Sequence, residues 1–106
     1  MIHVIAIITT APGKRSEVLE AFAKLVPLVH AEVGCVEYQP VIDAKNASSI
    51  QTPLGEDSYI VVEKWASMDD LNAHSASPHM QEFGRSFGHL IADRTIHVLQ
   101  GSMSIE

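Results

Sequence analysis

The chain contains one cysteine, Cys35, and no long run of apolar residues. A single cysteine excludes an intramolecular disulfide and fits a reducing compartment. No apolar stretch reaches the roughly 20 residues that a transmembrane helix needs. Basic residues are also few, since seven Lys and Arg against 13 Asp and Glu give a net charge of −6. That balance argues against nucleic acid or an anionic membrane as a partner, and we expect a soluble, cytoplasmic protein.

Motifs for the common cofactors are missing as well. The sequence has no G-x-G-x-x-G, no Walker A motif and no C-x-x-C. His74 and His79 are five residues apart across Pro78, which differs from the i, i+4 pair of an H-E-x-x-H zinc site. We therefore expect neither a bound metal nor an organic cofactor.

The length of 106 residues predicts one domain over the whole chain, 1–106. Hydrophobic periodicity and turn residues divide it into alternating strands and helices. Strands are predicted at 2–10, 35–42, 58–65 and 95–104. Helices are predicted at 14–33, bent at Pro27 and capped by Gly34, from Ser67 to about Ser75, and from Ser77 to about Asp93. The order β-α-β-β-α-β indicates an α+β, ferredoxin-like fold.

The first, third and fourth predicted strands are apolar on both of their faces. Both sides of the sheet must then be covered. The helices cover one side, and a second copy of the chain, stacked sheet on sheet, is the simplest cover for the other. We therefore predict a homodimer. The connection 43–57 is long for so small a domain, and we expect it to reach the partner subunit.

Titratable and aromatic side chains concentrate around the end of the third strand. Glu63 and Trp65 share one strand face by alternation, and His74 and His79 lie on the inward sides of the two following helices. Groups of these kinds converge at the lining of small-molecule pockets. The same positions also suit hydrogen-bonded packing histidines, a structural carboxylate and a core tryptophan. The residues alone leave both interpretations open.

An ordered set of short motifs resembles the quinol monooxygenases of the antibiotic biosynthesis monooxygenase superfamily. The set covers nearly the whole chain and consists of Val4-Ile5-Ala6 with Pro12-Gly13, Lys24-Leu25-Val26-Pro27, Glu32-x-Gly34-Cys35-x-x-Tyr38-x-Pro40, Glu63-x-Trp65, Leu71-x-x-His74 and Ser77-Pro78-His79-Met80. The resemblance implies a dimeric α+β barrel with one cavity per subunit between sheet and helices. It also implies oxidation of hydroquinones or polycyclic phenols by dioxygen without a cofactor.

Such chemistry needs little from the protein beyond a base and a dry cavity. A deprotonated phenol can itself reduce dioxygen by one electron, so the protein has to exclude water, position the ring and accept a proton. Under this resemblance His74 and His79 are the predicted catalytic residues, because imidazole titrates near neutral pH. The predicted substrate contacts are the Glu63 carboxylate and the aromatic rings of Tyr38, Trp65, Phe83 and Phe87.

The resemblance leaves other functions to consider. Haem-degrading relatives use an Asn on the first strand, and residues 4–8 are Val-Ile-Ala-Ile-Ile, so we do not expect haem degradation. A sugar-phosphate signal isomerase would need a phosphate anchor, and Arg85 falls on the outward face of the last helix. A non-catalytic, ligand-binding barrel domain also stays open, because a fold alone does not give a function.

Overall fold

The computed structural model describes residues 1–103. Four antiparallel strands form one sheet in the order β2-β3-β1-β4, and three α-helices pack on it. The elements are β1 Ile2–Thr10, α1 Arg15–His30, β2 Cys35–Val41, β3 Ser58–Trp65, α2 Met68–Ser75, α3 Pro78–Phe87, a 3-10 turn Gly88–Leu90, and β4 Ile91–Gln100. This is the predicted α+β, ferredoxin-like fold, which is confirmed. The predicted end of the last strand, Ser104, lies outside the described residues.

The register of the two central strands decides which side chains face the helices. Ile2 of β1 lies opposite Trp65 of β3, and Ile8 lies opposite Tyr59. Because side chains alternate along a strand, even-numbered residues of β1 and odd-numbered residues of β3 point to the same side. These positions and one stripe of α1 form the core, whose buried members are Val4, Ala6, Ile8, Val18, Phe22, Leu25, Val29, Tyr38, Tyr59, Val61, Trp65, Leu71 and Leu90.

Helix α1 runs through Pro27 but ends earlier than predicted, at His30. The chain turns there because the Glu32 amide donates to the Val29 carbonyl, three residues back, at 2.9 Å. Gly34 is therefore not the helix cap, a role that Ala31 takes. Gly34 instead has a positive φ of 80° and approaches α2 so closely that a Cβ would collide with the Asp70 carboxylate. This turn brings the end of α1 against the start of α2.

The last helix also ends earlier than predicted. It stops at Phe87 rather than near Asp93, and β4 begins at Ile91, four residues before the predicted start. The segment after the helix pairs with the central strand instead, with Arg94 opposite Ile8. That ladder satisfies backbone groups which a longer helix would otherwise have to pair internally. Arg94 therefore lies in the sheet, on β4, rather than after the end of a helix.

The two helix starts after β3 follow the predicted capping chemistry. Ser67 is the N-cap of α2, and its hydroxyl accepts a hydrogen bond from the Asp70 amide at 3.1 Å. Ser77 is the N-cap of α3 and Pro78 is its first residue. The Ser77 hydroxyl donates to the carbonyl of His74 at 2.7 Å. These contacts fix the position of His74, at the end of α2, relative to the start of α3.

No helix of the described residues covers the far side of the sheet. The side chains there include Ile5, which lies between Val62 and His97 in the register, and Leu99, which is 47% exposed.

At one sheet edge the connection 43–57 is closed at its base, because the Asp43 carboxylate accepts hydrogen bonds from the amides of residues 54 and 55 at 2.9 and 3.1 Å. Within residues 1–103, no helix has the length and hydrophobicity required to span a bilayer.

Candidate functional site

A cavity of about 890 Å³ lies between the sheet and helices α2 and α3, within the size range of small-molecule sites. It opens along β4, where Ile96 and Val98 are 51% and 49% exposed. Gly84 and Gly88 leave the helical wall bare, since a Cβ at either position would meet no atom within 4 Å. The floor and walls are mainly apolar, with a few polar side chains among them.

The cavity brings together four of the seven side chains that the sequence indicated. Tyr38, Glu63, His74 and Phe83 line it. The other three are His79, Trp65 and Phe87, and they lie outside its lining. The predicted residues therefore lie in one region of the fold, but the sequence did not separate residues that line the cavity from residues that support them, and their roles stay predictions.

His74 occupies the last turn of α2 and is only 4% exposed. Its ring packs against Trp65, with ring centroids 4.6 Å apart, and meets the edge of Tyr38 at 5.2 Å. Its Nδ1 lies 2.9 Å from Oε2 of Glu32. The other ring nitrogen, Nε2, makes no hydrogen bond with any residue in the range 1–103. The imidazole is thus held on several sides and keeps one nitrogen for a ligand.

Glu32 connects the two predicted catalytic histidines. Its Oε2 lies 2.9 Å from Nδ1 of His74 and 2.7 Å from Nε2 of His79. Glu32 lies in one of the short motifs of the sequence but was not among the predicted site residues. The signal was the glycine two residues later, because the tight turn at Gly34 directs the carboxylate toward the end of α2 and the start of α3. His79 faces this carboxylate rather than the cavity.

Glu63 supplies a buried carboxylate to the cavity. It is 7% exposed, and one of its oxygens accepts a hydrogen bond from Nε1 of Trp65 at 2.9 Å. Burial raises the pKa of Glu63 above its ordinary value, and the Trp65 hydrogen bond and the nearby His74 oppose this only in part. The second carboxylate oxygen has no protein partner within the described range. Glu63 can therefore bind a hydroxyl group of a ligand.

Two tyrosines line the cavity as neutral hydrogen-bonding groups. Burial raises the pKa of Tyr38 far above its ordinary value and that of Tyr59 to about 12. The Tyr38 ring stacks on Phe22 at 5.6 Å, and its hydroxyl lies 3.9 Å from the sulfur of Met80. Both phenols keep their protons at neutral pH, so neither of them can serve as the base.

Trp65 and Phe87 support the site from behind the cavity wall. Trp65 has no exposed surface, and it packs between His74 and Tyr38. Phe87 packs on Phe83, with ring centroids 5.2 Å apart. Both were predicted to touch the substrate. The structure instead places them in contact with residues that line the cavity.

No group of three or more His, Cys, Asp and Glu side chains within residues 1–103 is arranged to hold a metal ion. In the Glu32 cluster, the carboxylate instead hydrogen-bonds to the imidazoles of His74 and His79. The expectation that the protein works without a cofactor stays a prediction.

We expect Glu63→Gln to stabilise the protein at pH 7, by on the order of 1 kcal/mol. The raised pKa means that the folded state favours the neutral carboxyl group, so stability is lost as the pH rises through the folded-state pKa. Glutamine keeps an oxygen for Trp65 and carries no charge. Urea unfolding at pH 7 and pH 4 measures the effect, and the difference from wild type should disappear at the lower pH. Exposed Glu20→Gln is the control, and a Glu63 variant that is less stable at pH 7 contradicts the prediction.

Comparison with known proteins agrees with this architecture. A model of the antibiotic biosynthesis monooxygenase family matches residues 1–86, a stretch that includes Glu32, Glu63 and His74. The chain belongs to this family. Probable quinol monooxygenase YgiN of Escherichia coli K12 is 38% identical over 102 residues, covering 94% of this chain and 97% of that protein. The predicted resemblance to the quinol monooxygenases is therefore confirmed, and a monooxygenase activity is supported in general terms.

Solved structures show the same fold. PA3566 from Pseudomonas aeruginosa superposes with a TM-score of 0.78 at 25% identity, covering 96% of this chain and 94% of that one. Rv0793 from Mycobacterium tuberculosis also has a TM-score of 0.78, at 22% identity, and covers 99% and 98% of the two chains. At that level of identity the second comparison concerns the fold alone.

Proposed function

We propose that this family member oxidises hydroquinones or polycyclic phenols with dioxygen, without a cofactor, and that His74 is the base. The observation that supports the proposal most directly is the set of contacts made by the His74 ring. Glu32 holds its Nδ1 and Trp65 packs on its face, while Nε2 has no hydrogen-bond partner among residues 1–103 and the ring lines a mainly apolar cavity. A planar aromatic molecule fits such a cavity, and its hydroxyl would meet the free nitrogen.

The chemistry begins with transfer of the substrate's hydroxyl proton to Nε2 of His74. The resulting phenolate is electron-rich and gives one electron to dioxygen, which forms superoxide and a semiquinone radical. For a hydroquinone, transfer of the second electron and proton gives a quinone and hydrogen peroxide. For a phenol, the phenoxyl radical combines with the superoxide, the proton returned by His74 gives a hydroperoxide, and loss of water from it leaves a quinone. In both cases the protein contributes a base, a fixed orientation and exclusion of bulk water.

His79 has a different role in this proposal. Its Nε2 is bonded to Glu32, and it lies outside the cavity lining. We assign it to positioning, because it helps fix the carboxylate that in turn orients His74. Glu63 and Tyr38 line the cavity, and in this proposal they hydrogen-bond to the polar groups of the substrate. Phe83 packs against the substrate's ring.

Oxygen uptake tests the proposed reaction. Wild-type protein that elemental analysis shows to be free of metal should consume dioxygen with menadiol faster than the spontaneous oxidation of menadiol alone. The quinone product is followed by its absorbance in the same samples. No acceleration with menadiol or with a panel of other hydroquinones would contradict the proposal and favour the ligand-binding domain.

Glu32→Gln should lower kcat for a hydroquinone by up to roughly 10²-fold, because a misaligned base loses much of its effect. KM should change little, since Glu32 does not line the cavity. Steady-state oxygen uptake measures both constants, and Glu37→Gln, on the far edge of the sheet, is the control. A purely structural role for Glu32 would lower the folded fraction but leave kcat per folded molecule unchanged. Circular dichroism and active-site titration distinguish these outcomes.

We also propose that two copies pair through the uncovered side of the sheet, with the connection 43–57 reaching the partner. Apolar side chains stand on that side, and Ile50 in the connection is 91% exposed. Burying them supplies the area that a small core lacks. Sedimentation at micromolar concentration should give twice the chain mass, and Ile5→Glu should give monomers. A wild-type monomer at that concentration would exclude this assembly.

A further inference from the structure

Arg94 is an exposed charge at the cavity and has no ion-pair partner within residues 1–103. The side chain lines the cavity from β4, on the same side of the sheet as Ile96 and Val98, because alternate residues of a strand share a face. The guanidinium makes no ion pair or hydrogen bond with another residue of the described chain, and this includes the adjacent Asp93, which also lines the cavity. Residues 1–103 therefore offer it no fixed anionic partner.

Tyr59 supplies a second free donor on the same row of the sheet. Ile8 of the central strand lies opposite Arg94 on one side and opposite Tyr59 on the other. The backbones of Arg94 and Tyr59 are thus two strand spacings apart, or ~10 Å, which two long side chains can bridge toward one ligand group. The Tyr59 hydroxyl has no hydrogen-bond partner within the described chain. One end of the cavity therefore presents two donors.

The opposite end of the cavity carries the proposed chemistry. Glu63 is four residues from Tyr59 along β3, which corresponds to ~13 Å, and His74 lies beside Glu63 at that end. Between the two ends the floor is apolar and consists of Val61, Ala6 and Ile96 in register. The cavity is therefore polar at both ends and apolar in the middle, like a fused-ring molecule with one polar group at each end.

We propose that Arg94 and Tyr59 form an anion-binding subsite, and that the substrate is a fused-ring hydroquinone or phenol with a carboxylate opposite its reacting hydroxyl. The identity of the reacting end rests on the proposed function. A carboxylate at Arg94 gains a charge-assisted hydrogen bond, which is roughly twice as strong as a neutral one. A neutral substrate of the same shape gains no such bond, so the subsite selects for charge.

Calorimetric titration with a ligand pair under anaerobic conditions tests the subsite independently of oxidation, because the proposed reaction needs dioxygen. The pair is 6-hydroxy-2-naphthoate and the neutral 6-hydroxy-2-naphthamide, which differ only at the end that would meet Arg94. Wild-type protein should bind the naphthoate at least tenfold more tightly. Arg94→Gln should remove this preference, and Arg94→Lys should keep part of it. Arg85→Gln is the matched control, since Arg85 is exposed on α3 and paired with Glu82 at 2.8 Å.

Equal dissociation constants for the two ligands in wild-type protein would overturn the subsite, and so would an absence of binding by both. An equal loss of affinity for both ligands in Arg94→Gln would also overturn it, because the naphthoate preference would then remain without Arg94. Oxygen uptake reports separately on the reaction. A naphthoate preference without any hydroquinone oxidation would contradict the proposed activity and support the subsite. Hydroquinone oxidation without a naphthoate preference would support the activity and contradict the subsite.

Discussion

His74→Ala should lower the rate of hydroquinone oxidation by roughly 10²–10⁴-fold, the usual contribution of a positioned base. The reason is geometric, because His74 is the histidine that lines the cavity among the described residues, and Glu32 fixes its other nitrogen at 2.9 Å. Alanine leaves a space the size of an imidazole beside the cavity. Imidazole added to the buffer should therefore restore part of the lost rate, which a merely structural defect would not allow.

Two further histidine variants show whether the effect is specific. His89→Ala removes an exposed imidazole in the 3-10 turn after α3 and should leave the rate unchanged. His79→Ala should give an intermediate loss, because it removes one of the two imidazoles that bind the Glu32 carboxylate. Equal rates for all three variants would eliminate the acid–base role and leave a binding pocket.

Local sequence signals predicted most of the fold. The bounds of β3, 58–65, agree with the structure because a short apolar segment has a polar connection on one side and a helix cap on the other. The starts of α2 and α3 follow from Ser67 and from Ser77 with Pro78. The ends of α1 and α3 were wrong because they depend on distant partners. β1 recruits residues from Ile91 onward, and no periodicity within 88–94 reports that pairing.

The same distinction between local signals and distant contacts applies to the candidate site. His74 was found because helical periodicity places it on an inward face, and Glu63 was found because alternation places it on the same strand face as Trp65. Glu32 was missed because its role depends on the approach of α2 to the turn at Gly34, a contact between residues about 40 positions apart. Arg94 was missed because the extended helix prediction ended one residue before it. Periodicity thus identifies faces, while register and turns decide which faces meet.

Trp65→Ala should destabilise the protein by about 3–5 kcal/mol, the usual cost of truncating a fully buried aromatic side chain. Trp65 has no exposed surface, packs on Tyr38 and His74, and donates to Glu63 at 2.9 Å. Its removal leaves a cavity and also a buried carboxylate without its donor. Urea unfolding at one fixed protein concentration measures the change, and Met68→Ala, at a partly exposed position of α2, is the control.

Trp65→Phe separates the supporting role from the predicted contact with the substrate. Phenylalanine keeps most of the ring packing but cannot donate to Glu63, so the expected loss of stability is smaller, about 1–3 kcal/mol. KM for a hydroquinone should stay near the wild-type value, because Trp65 lies behind His74 and outside the cavity lining. A KM that rises severalfold while stability is unchanged would instead place the indole against the substrate, as the sequence first indicated. The unfolding and kinetic measurements together therefore decide whether Trp65 acts through His74 or directly.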